Sequence, residues 1–345
     1  MTSPKNDKIL SLLFRSNILK VFSTLNPNTL TVLNYHRIEY PDSDQALFKP
    51  NISASPEMFC KQLDYLKENF NVISVRQFVS WLSGHGDLPR NSAMITFDDG
   101  YLDNYTNAFP ELKSRSFPAV IFLTTGHIGQ SIPFYWDLLA YSFQVSDKDN
   151  LSLSQIGKWS WETYDQKMRV AYKVIQELKK FSEDDKQDLV DKIVDYLETP
   201  IPDRIFSKLF LNWDHVREMV HGNIEMGAHT VYHPILTRIP FERAVDELKL
   251  SKTRIEKEIN QEIDSFAYPN GQPGDFDIKI VDQIKKTGFR SAFTLISGPQ
   301  SYKSVLRNPY QIRRIFLSHK DSFPKFVSKV HGLPRVLEYL GGGAE

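Results

Sequence analysis

The chain has 345 residues, and its 42 basic side chains balance 42 acidic ones, so no net field selects nucleic acid or an acidic partner. One cysteine, Cys60, excludes an intramolecular disulfide framework and a thiolate metal cluster. A hydrophobic share of 41% with 12% aromatics is that of a folded globular protein, and no run reaches the roughly 18 apolar residues of a membrane-spanning helix.

The first apolar stretch, residues 9–25, is interrupted by Arg15, Ser16, Asn17 and Lys20, and no small-residue cleavage site follows. It is a poor signal peptide. Its basic residues beside Leu12, Leu13, Phe14, Ile18, Leu19 and Phe22 predict an amphipathic helical segment within residues 1–29. That segment either docks on its own domain or makes peripheral membrane contact through residues 9–25. The default location is cytoplasmic, with the membrane surface as the alternative. Residues 31–35 read as a strand. Ser55 then caps a helix opened by Pro56, with Phe59, Leu63 and Leu66 on one face. Val75, Phe78, Val79 and Leu82 mark a second helix, which ends at Gly84.

Residues 93–97 form a short apolar strand that runs into Asp98-Asp99-Gly100, and a short helix follows. The unbroken apolar run 119–123 is that of a strand buried on both faces. From about 141 to 205 the rhythm changes to two helical patterns, 167–181 and 184–197, read as a helical insertion. Strands resume at 224–228, 264–268, 289–295 and 311–316, with helices over 241–259 and 276–286 and a Gly-rich tail at 336–345. Strands alternating with helices predict a parallel sheet, and seven or eight of them in one domain favour a closed or distorted (β/α) barrel.

Two adjacent acids repel unless a cation or a proton offsets them. His229 and His233 stand four apart on the turn that follows strand 224–228, at the same end of the barrel as Asp98 and Asp99. Two histidines and one carboxylate leave an open position for water, as in catalytic zinc sites and in non-haem iron oxygenases. Hydrolysis is the preferred reading, because such oxygenases bring a His and an acid two residues apart from one turn, and neither His229 nor His233 has that neighbour. One aspartate then serves as ligand while the other acts as base on a water of lowered pKa.

Thr96-Phe97-Asp98-Asp99-Gly100 and His229-Thr230-Val231-Tyr232-His233-Pro234 resemble the first two motifs of the polysaccharide deacetylases, carbohydrate esterases with a NodB-type domain. The resemblance implies a bacterial α/β protein: a distorted (β/α) barrel of the NodB type over residues 30–335, with the helical insertion at about 141–205. It also implies metal-dependent removal of an acetyl group from N-acetylated sugar residues of a glycan or saccharide precursor, with Zn2+ as the cofactor. By position, Asp98 resembles the general base, and Asp99, His229 and His233 resemble the metal ligands.

The third motif departs from the pattern. The family often has Arg-Pro-Pro-Tyr there, whereas this chain has Phe266-Ala267-Tyr268-Pro269-Asn270-Gly271, with Ala267 at the arginine position. A branch that includes deacetylases of poly-N-acetylglucosamine also lacks the arginine. Arg313 or Arg314 is expected to supply the missing cation, with Tyr268 and Asn270 in support. The acid that protonates the leaving amine is either His319, at the family's usual late position, or His36, whose Tyr35-His36-Arg37 context resembles that branch and is preferred. Tyr101, Trp136 and Trp213 are candidate sugar-stacking aromatics, and Asp137 is a candidate for holding a substrate hydroxyl. Hydrolysis of a cyclic amide or an O-acetyl ester on the same fold remains an alternative, as does a non-catalytic sugar-binding module. The substrate partner expected is an N-acetylated saccharide.

Overall fold

The computed structural model describes residues 28–43, 46–202 and 204–334, together with Leu10, Phe14 and Ser16. The amphipathic stretch expected at 9–25 otherwise lies outside the described residues, as does the tail at 336–345. Leu10 and Phe14 pack against the barrel core, and the Phe14 ring meets Phe323 edge-on at 5.6 Å. Among the described residues no helix is long and apolar enough to cross a membrane.

The strands follow in chain order: β1 (Thr29–Tyr35), β2 (Arg37–Ile38), β3 (Ile52–Ala54), β4 (Asn71–Val72) and β5 (Ser92–Asp99). Next come β6 (Ala119–Leu123), β7 (Asn150–Leu153), β8 (Gly157–Ser160) and β9 (Ile224–Ala228). The last are β10 (Ser265–Ala267), β11 (Ser291–Phe293), β12 (Gln300–Ser301) and β13 (Ile315–Phe316). The main sheet runs β11-β10-β9-β6-β5-β1 with every pair parallel. β13 adds to β1 in parallel and β12 adds in antiparallel. Ile312 bridges to Phe293 of β11 while Ile315 and Phe316 pair with Leu33 and Asn34, so one segment reaches both edges of the curled sheet. This is the distorted barrel expected. β5 and β6 are buried at every position, which is why their sequences run apolar without alternation.

Register places the chemistry. Tyr35 pairs with Phe97, Asp98 with Phe122, Asp99 with Leu123, and Leu123 with Ala228. The residues at and just beyond these pairs, His36, Asp98, Asp99 and His229, therefore meet at one level on the C-terminal end of the barrel.

The helices begin where the sequence signals them. The Ser55 hydroxyl accepts from the Met58 amide, and Ser74 with Gln77 forms a capping box. The insertion has its own apolar core, in which Leu139, Phe143, Val174, Leu178, Ile193 and Phe210 are buried together. It is formed by helices Tyr135–Val145, Tyr164–Leu178 and Glu183–Tyr196 and by an antiparallel β7–β8 hairpin. The hairpin is absent from the sequence reading for a physical reason. Only Leu151 of its eight strand residues is buried, so no apolar alternation marks it.

Candidate active site

Consecutive residues of a strand point to opposite faces, so Asp98 and Asp99 could not both reach one site from a regular strand. Asp99 has φ 76° and Gly100 φ 84°, and this left-handed break returns the second carboxylate to the side of the first. Glycine adopts this φ without strain at position 100, where a Cβ would also press on Ile128 Cδ1 at 2.7 Å. The histidine turn is held in the same way. Thr230 and His233 both have positive φ, and the His233 amide donates to the Thr230 hydroxyl at 3.0 Å.

Asp99, His229 and His233 bring one ligand atom each to within 4.8 Å of one another. The His229 and His233 Nε2 atoms stand 3.7 and 3.6 Å from Asp99 Oδ1. Ligands about 2.1 Å from a tetrahedral zinc are separated by roughly 3.4 Å, so a small contraction would seat the ion. The Ala267 carbonyl can only accept, so His229 Nδ1, 2.7 Å away, carries the proton, and the Nε2 lone pair faces Asp99. Burial lowers the pKa of His229 and, with His229 adjacent, that of His233. Both are neutral, as metal ligands must be. Burial, and then the charge of Asp98, pushes the Asp99 carboxyl well above its usual range. Neither Asp99 oxygen has a hydrogen-bond partner among the described residues. A buried carboxylate with nothing to hold it is costly, and a divalent cation between these three groups would satisfy all of them. The donor set fits zinc.

Asp98 is provided for differently. Arg314 donates to its two oxygens at 2.6 and 2.8 Å, and the Asn34 side-chain amide donates at 2.9 Å. Burial raises this carboxyl, and the opposing pull of Arg314, joined by His229 and His36, brings it down to about 2. Arg314 is itself fully buried, lies 5.5 Å from the Phe122 ring, and is anchored by the Thr294 carbonyl at 3.0 Å. Arg314 is thus the arginine of the expected pair that reaches Asp98. The backbone amide of its neighbour Arg313 donates to Gln300 at 2.7 Å.

The two candidate histidines separate clearly. His36 Nε2 lies 4.0 Å from Asp98 Oδ2, its ring meets Phe316 edge-on, and its Nδ1 has no hydrogen-bond partner among the described residues. Burial, against the pull of Asp98, lowers its pKa to about 4. His319 also lines the cleft, but both its amide and its Nδ1 are directed at the Ile52 carbonyl.

The cleft above these groups has a volume of about 940 Å³, and the insertion forms one of its walls. Trp136 lines it and meets His233 edge-on at 5.0 Å. Asn270 also lines it, accepting from Lys179 Nζ at 2.8 Å and donating to Asp275. Other expected residues stand elsewhere. Asp137 is fully buried and accepts from the Tyr101 hydroxyl at 2.8 Å, so it holds the insertion to the barrel and not a substrate hydroxyl. Tyr101 is buried with it. Tyr268 is buried with its hydroxyl on the Tyr310 carbonyl, and Trp213 packs on the barrel core under Arg254. Sequence reasoning missed Asn34, Lys179 and Phe316. Asn34 had a signal, as a polar residue inside an apolar strand; the other two had none.

A family model described as polysaccharide deacetylase matches residues 85–292. A poly-beta-1,6-N-acetyl-D-glucosamine N-deacetylase of Staphylococcus aureus is 30% identical over 147 residues, which cover 40% of this chain and 48% of that protein. The chain thus spans about half the length of the curated relatives it matches. Among solved structures, the Streptococcus pyogenes deacetylase PplD in complex with acetate superposes with a TM-score of 0.58 at 18% identity, over 88% of this chain and 99% of that one. IcaB from Ammonifex degensii gives 0.55 at 20% identity, over 89% and 99%. At these identities the two structures speak to the fold.

Proposed function

Because the chain belongs to the polysaccharide deacetylase family, we propose that it is a metal-dependent hydrolase that removes the acetyl group from N-acetylated saccharides. The observation that carries the reading is the pairing of the Asp99, His229 and His233 cluster with a second carboxylate, Asp98, held by Arg314. The name of the Staphylococcus aureus relative favours N-acetylglucosamine units as substrate. When bound by Asp99, His229 and His233, a divalent cation, zinc by its donor set, lowers the pKa of a water and polarises the acetyl carbonyl.

The protein's own groups then move one proton. Asp98 is ionised at neutral pH and accepts the proton of the attacking water. His36, neutral with its Nε2 4.0 Å from Asp98, takes that proton at Nε2 and passes it to the departing nitrogen, so that water and amide give acetate and amine. Arg314 and Asn34 fix the Asp98 carboxylate plane, and Trp136 packs against His233. The non-catalytic alternative drew its support from the missing arginine, and the Arg314 fork removes that support.

The test is acetate release from N-acetylglucosamine oligosaccharides by zinc-loaded protein. Asp98→Asn and His229→Ala should each abolish release, the second together with zinc binding. Unchanged turnover in either variant would sink the proposal.

A further inference from the structure

Apart from Asp98 and Asp99, most of the charges facing the cleft are cationic. Lys49, Arg169, Lys179, Lys186 and Lys320 line it, against one further carboxylate among the described lining residues, Asp165. The chain as a whole is neutral, so this is a local concentration and not a reflection of bulk charge. The catalytic acids do not require it, since Arg314 already matches Asp98 and Asp99 faces two histidines. Lys186 is matched by Glu183 at 2.5 Å, and Lys49 lies 3.6 Å from Asp42. Lys179 donates to a neutral amide, Asn270 Oδ1, at 2.8 Å, and the Asp275 carboxylate acts on it from behind that amide, outside the lining of the cleft.

The placement is ordered. Arg169, Tyr172, Gln176 and Lys179 fall at helical spacings of three, four and three along Tyr164–Leu178 and its C-cap, and all four line the cleft. Lys179 marks the inner end, where its charge is felt by Asp99 and His36. Arg169 lies ten residues back, about 15 Å outward at a rise of 1.5 Å per residue. The exposed ring of Tyr172 sits between them, and Lys320 faces the cleft from the barrel side. Two cations about 15 Å apart, Lys179 and Arg169, with Asp165 one turn beyond Arg169 and Lys320 on the barrel side, suit an extended anionic ligand better than a single neutral hexose.

Resting on the deacetylase reading above, we propose that the N-acetylated saccharide held here carries anionic groups, phosphate or carboxylate. Lys179 meets one beside the reacting acetamide, and Arg169 and Lys320 meet others further out. A neutral polymer of N-acetylglucosamine is the poorer match, because each acetyl group removed leaves an ammonium that this cleft repels.

Binding and turnover are measured separately. Calorimetry on zinc-loaded Asp98→Asn, or on His36→Ala should that variant fail to fold, compares three probes. They are triacetylchitotriose (neutral), UDP-N-acetylglucosamine with UDP as its control (phosphate), and a hyaluronan tetrasaccharide (carboxylate). At about 50 mM salt at least one anionic probe should bind roughly tenfold tighter than triacetylchitotriose. The gap should narrow to about threefold near 500 mM, and by about threefold in Arg169→Gln and in Lys320→Gln. The tighter anionic probe identifies the group. If the saccharide diphosphate binds no tighter than UDP and the tetrasaccharide no tighter than triacetylchitotriose, the inference is overturned. Acetate release by the wild-type protein judges the other reading: tight anionic binding with no acetate from any probe would refute the deacetylase assignment alone, and acetate from triacetylchitotriose without anionic preference would refute the charge inference alone.

Discussion

Replacing Arg314 by methionine removes a guanidinium that is fully buried and shared among Asp98, Thr96 and the Thr294 carbonyl. Methionine fills much of the same volume, so the loss is mainly electrostatic. It leaves Asp98, 1% exposed, with Asn34 as its remaining donor among the described residues. Removing one partner of a buried ion pair costs about 3–5 kcal/mol, because the other charge is left uncompensated. For a chain of this size that corresponds to a fall in Tm of roughly 6–10 °C, at about 2 °C per kcal/mol. The pH dependence gives a second readout. In the wild-type protein the Asp98 pKa is held at about 2, below its unfolded value, so its contribution of about 2–3 kcal/mol is present above pH 4 and lost as pH falls through 2. In Arg314→Met the shift reverses, protonation relieves the buried charge, and the deficit should shrink from pH 8 to pH 4. Metal-free protein is melted by calorimetry, and a cycle with Asp98→Leu should give a coupling of about 2 kcal/mol or more. With zinc restored, kcat/KM should fall by roughly a hundredfold. The reasoning is refuted if Arg314→Met melts within about 2 °C of wild type at pH 8 and the coupling is below about 0.5 kcal/mol.

Three further outcomes are expected. His36→Ala should lower kcat by about a hundredfold with little change in KM, whereas His319→Ala should change kcat less than about fivefold; the reverse ranking would move the acid role to His319. Zinc at about a thousand times its Kd should stabilise the metal-free protein by about 4 kcal/mol, and Asp99→Ala should abolish the shift in Tm; a shift that survives would place the ion elsewhere. Burial raises the Asp137 pKa to about 6, above its unfolded value, so this group's contribution is full below pH 4 and lost as pH rises through 6. Asp137→Asn, which can still accept from Tyr101, should therefore gain up to about 3 kcal/mol on wild type between pH 4 and pH 8. Parallel stability curves would contradict this.

The cluster of Asp99, His229 and His233 was legible because its signals are local. Asp98-Asp99-Gly100 and His229 to His233 each fit on one turn, and a strand ahead of each fixes its level in the barrel. The barrel itself followed from apolar runs such as Ala119–Leu123. The parts that escaped are those whose meaning arises only across the fold. Asn34 stands 64 residues from Asp98, and Lys179 stands 91 from Asn270. On a lone helix Arg169, Gln176 and Lys179 form the polar face opposite Val170, Val174 and Leu178, a pattern that reads as solvated until a barrel is set against it.

Arg314 lies between these cases. Strand alternation puts Ile312 and Arg314 on one face and Arg313 on the other, so the segment contained the choice. What it could not contain is the reason for the choice. Ala267 belongs to the apolar cluster around Phe122 and Phe293, and Arg314 lies against the same Phe122 ring as it crosses to Asp98. A small side chain at 267 leaves that crossing open, while the backbone of the same residue still orients His229 through its carbonyl. The departure at Ala267 and the arginine arriving from the segment just before β13 are thus two sides of one arrangement. In it, the cation that fixes Asp98 depends on packing at Phe122 and not on the motif in which it was sought.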